Sequence, residues 1–405
     1  MKQVLFFLFL FFPFFNLQAD TIKMMQYNMM YYTASAPSGC NTGGNYLNSK
    51  DANLKTIFQY VQPDVLCVNE IGASNTYVNR VLTQVLNTDG INYFDACPLT
   101  NFSGGSIANM LFYDKRKLGF HSHFYVTTSV RDINAYKMYY QSAGLQQGDT
   151  IFITFIIAHL KAGNTDSDKA TRLVQVQRLM TKLEQIGIAD NYVFSGDFNL
   201  YSDQEQSFQH LINYPNTLFK FYDPIDQIGY WHDNPAYASV HTQSTHTYSE
   251  NGCFATGGLD DRFDFILVSP YIYFGNNKVK AIKESYHALG QDGIRLNRSL
   301  IDPPNTAVPN NIANAMYNFS DHLPVLLDFE INTASSIKEF GKPTIQIQNP
   351  VRNSLIIDLL LTNDEVLDFE IYTINGVLVD RFSRTFTAGS ERLEYPFPFC
   401  PAVYI

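Results

Sequence analysis

This chain is short of charge. Asp, Glu, Lys and Arg make up only 16% of its 405 residues, and the balance is acidic at −10. That excludes a broad basic surface for tight, non-specific nucleic-acid binding. It leaves nucleic acid open as a substrate, because a divalent ion and a few local cations neutralise one phosphate. No Gly-rich phosphate loop follows the first strand-like run, which counts against a doubly wound single sheet. No Cys-x-x-Cys or Cys/His spacing suggests structural zinc. Internal repeats are lacking, and the N-terminus holds the one low-complexity tract. Its apolar run, residues 4–15, is about 12 residues long, short of the roughly 20 that a bilayer span needs.

The hydrophobic share is 45%, ample for a large core. A soft prior of about one domain per 150 residues suggests two domains or three. Aromatics reach 15%, with 26 Tyr and 32 Phe, which points to a β-rich globular chain. Lys2, the apolar run and Ala19 together read as a signal peptide over 1–19 with a cut after Ala19. Secretion or cell-surface display is therefore expected. Cys40, Cys67, Cys97, Cys253 and Cys400 make an odd set, so at least one thiol stays unpaired, while export permits disulfides. Cys67 lies in the apolar run 64–69 and reads as a buried hydrophobe. Cys40, Cys97 and Cys253 fall in loop-like sequence, where two of them can pair.

From Ile22 onward short strands alternate with helices. Strands are expected at 22–28, 65–68, 110–113, 120–127, 151–159, 192–195, 263–268 and 325–331. Helical spacing predicts helices over 49–61, 76–86 and 170–186. Strands carrying hairpins between helices suggest two stacked sheets flanked by helices. Composition changes near Asn332. Residues 333–341 are small and polar, as in a linker, and 342–405 show short alternating strands with an Asn375-Gly376 hairpin turn, as in a small β-sandwich.

Candidate functional residues cluster at strand exits. Glu70 ends the run 65–70, where a carboxylate is well placed for a hard cation. Asp197 and Asn199 follow another strand, with Gly196 allowing a tight turn; together they can orient a water and draw off its proton. An Asx-turn that caps the strand is the bland alternative. Asp264 sits in an apolar strand and needs a partner. His322, in Ser320-Asp321-His322, is the natural one, since a carboxylate fixes an imidazole's tautomer and favours its charged form. His159 ends a strand, and Lys161 two positions on is expected to face the same phosphate. Asn28 closes the first strand, able to bond a phosphate oxygen or hold a catalytic carboxylate.

In this order, the fragments Gly196-Asp197-Phe198-Asn199, Arg262-Phe263-Asp264 and Ser320-Asp321-His322 resemble the endonuclease/exonuclease/phosphatase family over about residues 20–332. That family includes pancreatic-type deoxyribonucleases, abasic-site endonucleases, bacterial sphingomyelinases and inositol-phosphate phosphatases. The resemblance implies a four-layer α/β/β/α sandwich with its site at one edge of the sheets. It implies Glu70 and Asp321 as metal ligands, Asp197 and Asn199 as the water-activating pair, Asp264 and His322 as a phosphate clamp, and His159 as the proton donor to the leaving oxygen. The implied cofactor is Mg²⁺, with Mn²⁺ or Ca²⁺ as alternatives. Met30 stands where some members carry an acid, which favours one metal over two. In the tail, Gln348-Asn349-Pro350-Val351, the stretch from Phe369 through Asn375-Gly376 to Val379, and the final Ala402-Val403-Tyr404-Ile405 resemble the sorting domain of the type IX secretion system, implying a secretion-machinery partner.

These readings lead to a secreted, metal-dependent phosphodiesterase, monomeric, cutting extracellular DNA or RNA. One alternative is a sphingomyelinase-like lipid phosphodiesterase reaching a membrane through residues 224–237, with Tyr230 and Trp231. Another is a binding-only member of the fold.

Overall fold

The computed structural model describes residues 20–35, 40, 46–142, 145, 150–249, 252–333, 344–347, 354–361, 364–373 and 377–396. In chain order the main body runs β1 (Asp20–Tyr32), α1 (Leu47–Val61), β2 (Val65–Gly72), α2 (Asn75–Val81), β3 (Phe94–Ala96), β4 (Ile107–Asp114), β5 (Leu118–Val126) and β6 (Ile133–Tyr140). It continues with β7 (Phe152–His159), α3 (Asp166–Ile186), β8 (Tyr192–Asp197), α4 (Gln206–Ile212), β9 (Asp264–Val268), α5 (Pro270–Phe274), β10 (Val279–Ala288), α6 (Asn310–Phe319) and β11 (Val325–Ile331).

The strands form two mixed sheets. One has six strands in the order β10-β11-β1-β2-β4-β3, the other five in the order β5-β6-β7-β8-β9. At the centre of each, a parallel pair (β1 with β2, β7 with β8) puts strand exits side by side. Period-2 alternation explains the layering. Phe155, Ile157, Val193 and Ile266 point to the core shared with the six-stranded sheet and with α1 and α6. Their neighbours Ile156, Ala158, Phe194 and Phe265 point the other way, onto Val176, Leu179 and Leu183 of α3 and Phe208 of α4. The result is the four-layer α/β/β/α sandwich. α3 starts on a capping box, Thr165 with Asp168, and ends on left-handed Gly187.

The sequence missed several elements. β6, β10, α4, α5 and α6 had no expectation, and the helix expected over 76–86 is α2 followed by a π-turn at Leu82–Leu86. Cys40 pairs with Cys253, while Cys67 and Cys97 are free and buried. The tail carries β12 (Thr344–Ile347), β13 (Ser354–Leu361), β14 (Glu365–Tyr372), β15 (Leu378–Phe386) and β16 (Gly389–Pro396), in a three-stranded and a two-stranded sheet. Leu355, Ile357, Leu359, Ile371, Phe386 and Leu393 are buried among them. The expected signal peptide, residues 334–341 of the expected linker, the 348–351 fragment, Asn375-Gly376, Cys400 and the final four residues lie outside the described residues.

Candidate active site

The exits of β1, β2, β7 and β8 and the start of β9 meet the segment between α6 and β11, and their polar side chains converge. Asn28 is at the centre, fully buried. Its Nδ2 lies 3.2 Å from Glu70 Oε1, 3.0 Å from Asp197 Oδ2 and 3.4 Å from His322 Nε2. Its Oδ1 accepts the Met30 N–H at 2.9 Å, and Tyr31 N–H donates to Glu70 Oε2 at 2.9 Å. Met30, Tyr31, Glu70 and Asn199 all have φ between 40° and 61°. Such left-handed backbone is costly for residues with a Cβ, and its concentration at one spot is the mark of a site whose geometry overrides local preference. Gly196 has φ 140°, and a Cβ there would stand 1.8 Å from Ala158 O. Only glycine lets β8 run this close to β7.

Asp197 is held from several sides. Its N–H donates to Asn69 Oδ1 at 3.0 Å, and its Oδ1 accepts the Asn199 N–H at 3.0 Å. The second bond is the Asx-turn that was the bland reading. It coexists with a functional arrangement, because Oδ2 faces Asn28, His159 Nε2 at 3.5 Å and His322 Nε2 at 3.7 Å. The Asn199 amide turns to Leu160 O at 3.4 Å, so Asn199 serves Asp197 through its backbone. Burial pushes the Asp197 carboxyl up to about 7, with His322 pulling down and Asp264 and Glu70 adding to the rise.

His322 Nδ1 lies 2.7 Å from Asp264 Oδ2, and both side chains are buried. Burial works against charging the ring, but Asp264, Asp197 and Asp321 outweigh it and hold His322 well above the ordinary imidazole range. These three acids favour the charged form of the ring. His159 is the reverse: burial, Arg131 and His322 hold it well below that range. A neutral ring is a poor proton donor, which puts the leaving-group role expected of His159 in conflict with its surroundings.

Two expected contributors lie elsewhere. Lys161 Nζ pairs with Asp168 Oδ1 at 2.7 Å, drawn by the capping box of α3 rather than by the acids. Asp321, expected beside Glu70 as a ligand, lies at the Nε2 edge of His322, with Oδ1 4.0 Å from Nε2 and Oδ2 accepting the Ala255 N–H at 2.9 Å. Among the described residues, Glu70, His159 and Asp197 form one group whose ligand atoms all lie within 4.8 Å of one another, and His232, Asp260 and Asp261 form a second. Arg262 turns inward to Asp223 at 2.7 Å, and Asp261 holds His232 at 2.7 Å on the rim. Trp231 is fully buried, its Nε1 donating to Leu200 O, which leaves Tyr230 as the exposed aromatic of that pair.

Sequence reasoning missed four supports. Gln26, Asn69 and Asn109 form a buried amide chain behind Asp197: Gln26 Nε2 donates to Asn69 Oδ1 at 2.7 Å, and Asn69 Nδ2 to Asn109 Oδ1 at 2.8 Å. Arg131 is half-buried, its charge in the field of Glu70 and Asp197. Gln243 Nε2 sits 2.7 Å from His322 Nε2. Lys50 donates to the carbonyls of Met29 (3.0 Å), Met30 (2.8 Å) and Phe319 (2.8 Å), tying the bend of β1 to the segment that carries His322. Burial pushes its pKa down to about 7, with Asp321 and Glu70 opposing. Polar residues inside apolar strands could have flagged the amide chain. Nothing local marks Arg131, Gln243 or Lys50.

The donors fit a divalent ion. Glu70 offers hard carboxylate oxygens at the least buried point of the group, and burial, with Asp321 adding to it, raises its pKa. His159 Nδ1 is buried and has no hydrogen-bond partner among the described residues.

No family model matches the sequence, and no curated protein matches it. Solved structures do. The human Nocturnin catalytic domain with bound sulfate is 14% identical at TM-score 0.47, covering 78% of this chain and 98% of that one. An endonuclease/exonuclease/phosphatase family protein from Bacteroides thetaiotaomicron is 13% identical at TM-score 0.47, covering 78% and 97%. The endonuclease/exonuclease/phosphatase from Bacteroides vulgatus is 15% identical at TM-score 0.48, covering 77% and 100%. Likenesses at this level decide nothing about activity.

Proposed function

We propose that this chain is a metal-dependent phosphodiesterase of the endonuclease/exonuclease/phosphatase type, acting as a nuclease outside the cell. The observation that carries this reading is the Asp264–His322 pair at 2.7 Å, with Asp197 Oδ2 3.7 Å from the same ring. It sets a fixed positive charge beside a carboxylate that titrates near neutrality.

In this reading the phosphate seats against His322 and Arg131. Asp197, steadied by Asn28, Asn69 and Asn199, orients the attacking water and takes its proton. His322, kept charged by Asp264, stabilises the negative charge that grows on the phosphoryl oxygens. Glu70 would hold a divalent ion, with Asp197 and His159 close enough to share it; when bound, the ion neutralises phosphate charge and steadies the leaving oxygen. Burial of Trp231 removes the larger anchor from the loop that a lipid-directed enzyme would use, which favours a nucleic acid over a membrane lipid. Export rests on the character of residues 1–19 and on the sorting-domain fragments of the tail.

The test is purified protein on plasmid DNA, RNA and sphingomyelin side by side, with Mg²⁺, Mn²⁺ or chelator. The expected result is nucleic-acid cleavage that chelator stops. Cleavage of sphingomyelin alone would move the substrate to lipid, and inertness on all three would sink the reading.

A further inference from the structure

We propose that His159 is itself a metal ligand, its Nδ1 binding the same divalent ion as Glu70 Oε1. The centre is then a mixed oxygen–nitrogen site. It takes Mn²⁺, Co²⁺ or Zn²⁺ in preference to Mg²⁺ or Ca²⁺. This inference rests on the metal-dependent reading above and adds the ligand set and the metal class.

The ring lies between two carboxylates. Nδ1 is 3.7 Å from Glu70 Oε1, and Nε2 is 3.5 Å from Asp197 Oδ2. His159 is only 4% exposed, and Nδ1 has no hydrogen-bond partner among the described residues. A ring nitrogen withdrawn from water without a partner is costly unless something else takes the lone pair. The Nε2 side explains which nitrogen is free. With its N–H toward Asp197, the ring adopts the tautomer that leaves the Nδ1 lone pair facing Glu70. A carboxylate behind one nitrogen and a metal at the other is the usual setting of a ligating histidine.

The backbone fixes this placement. His159 and Asp197 are register partners on parallel β7 and β8, and Leu160 N–H donates to Asp197 O at 2.9 Å. The imidazole therefore has little freedom to swing away. Imidazole suits the later first-row ions, whereas Mg²⁺ and Ca²⁺ prefer sites built of oxygen alone. The same assignment removes His159 from proton donation at Nδ1, because a ligating lone pair carries no proton.

The experiment is Mn²⁺ titration of the full chain followed by continuous-wave and pulsed electron paramagnetic resonance. The expected result is a bound Mn²⁺ whose spectrum carries ¹⁴N coupling, replaced by ¹⁵N coupling in labelled protein. That coupling should persist in His322→Gln and vanish in His159→Gln, with Mn²⁺ affinity down at least about ten-fold in the latter. Bound Mn²⁺ without nitrogen coupling overturns the proposal while leaving the metal-dependent reading in place. So does a coupling unchanged in His159→Gln. Should that variant not fold, the wild-type and His322→Gln spectra decide. No Mn²⁺ binding, with hydrolysis that persists in chelator, would overturn the metal-dependent reading itself and this proposal with it.

Discussion

Replacing His322 with alanine is expected to lower kcat on a phosphodiester by roughly 10²–10³-fold, the usual loss when a preorganised charge-stabilising group is removed. Steady-state kinetics reads this directly. The substitution also strands Asp264, which is fully buried and whose Oδ2 has the His322 ring as its partner. Breaking a buried pair from one side costs about 3–5 kcal/mol, so the alanine variant should also unfold at lower denaturant concentration. Asp264→Asn separates the two effects. It keeps the ring in place and removes the charge that holds it protonated. Its kcat should fall in the same direction with a smaller loss of stability. The double variant His322→Ala/Asp264→Asn should be more stable than His322→Ala alone, because the stranded Asp264 carboxylate is gone. Equal rates in wild type and His322→Ala would remove the imidazolium from the chemistry.

Asp197→Asn should cost roughly 10²–10⁴-fold in kcat, the range for losing a positioned general base. The amide is close in shape, and it can still accept the Asn199 N–H. Loss of activity without loss of fold is therefore expected, checked by kinetics beside thermal unfolding. The pH profile gives a second readout. The base must be ionised to work, and its carboxyl is pushed up to about 7 by burial. The wild-type rate should therefore climb as pH rises through about 7 and flatten above it. A bound divalent ion favours the carboxylate and moves that midpoint lower as metal is raised. In Asp197→Asn the climb should disappear. A climb that survives there would assign the base to another group.

The central strands were legible because a strand buried on both faces reads as an unbroken apolar run. The expected strand at 325–331 coincides with β11, and that at 192–195 extends to Asp197 in β8. β10 was opaque because Lys280, Lys283 and Glu284 interrupt it, as suits a strand at a sheet edge. α6 was hidden by its four Asn residues and by the lack of a side-chain cap at its start. Within the candidate site, the acids and imidazoles could be picked out because a titratable group at the end of an apolar strand has few bland explanations. Lys161 misled because its near neighbour Asp168 claims it, a local attraction that strand-exit logic ignores. Lys50 could not be found at all. It reaches Phe319 O across 269 positions of chain, and no local pattern encodes that.

The most direct measurement is turnover of a simple activated phosphodiester, bis(p-nitrophenyl) phosphate, by the purified chain as divalent metal is titrated in from a chelated start. Convergence of Glu70, Asp197 and His322 on one bound phosphate predicts no rate in chelator, a saturable rise with metal, and a rise displaced to higher metal in Glu70→Gln. A rate indifferent to chelator, or none with any divalent ion, would contradict it.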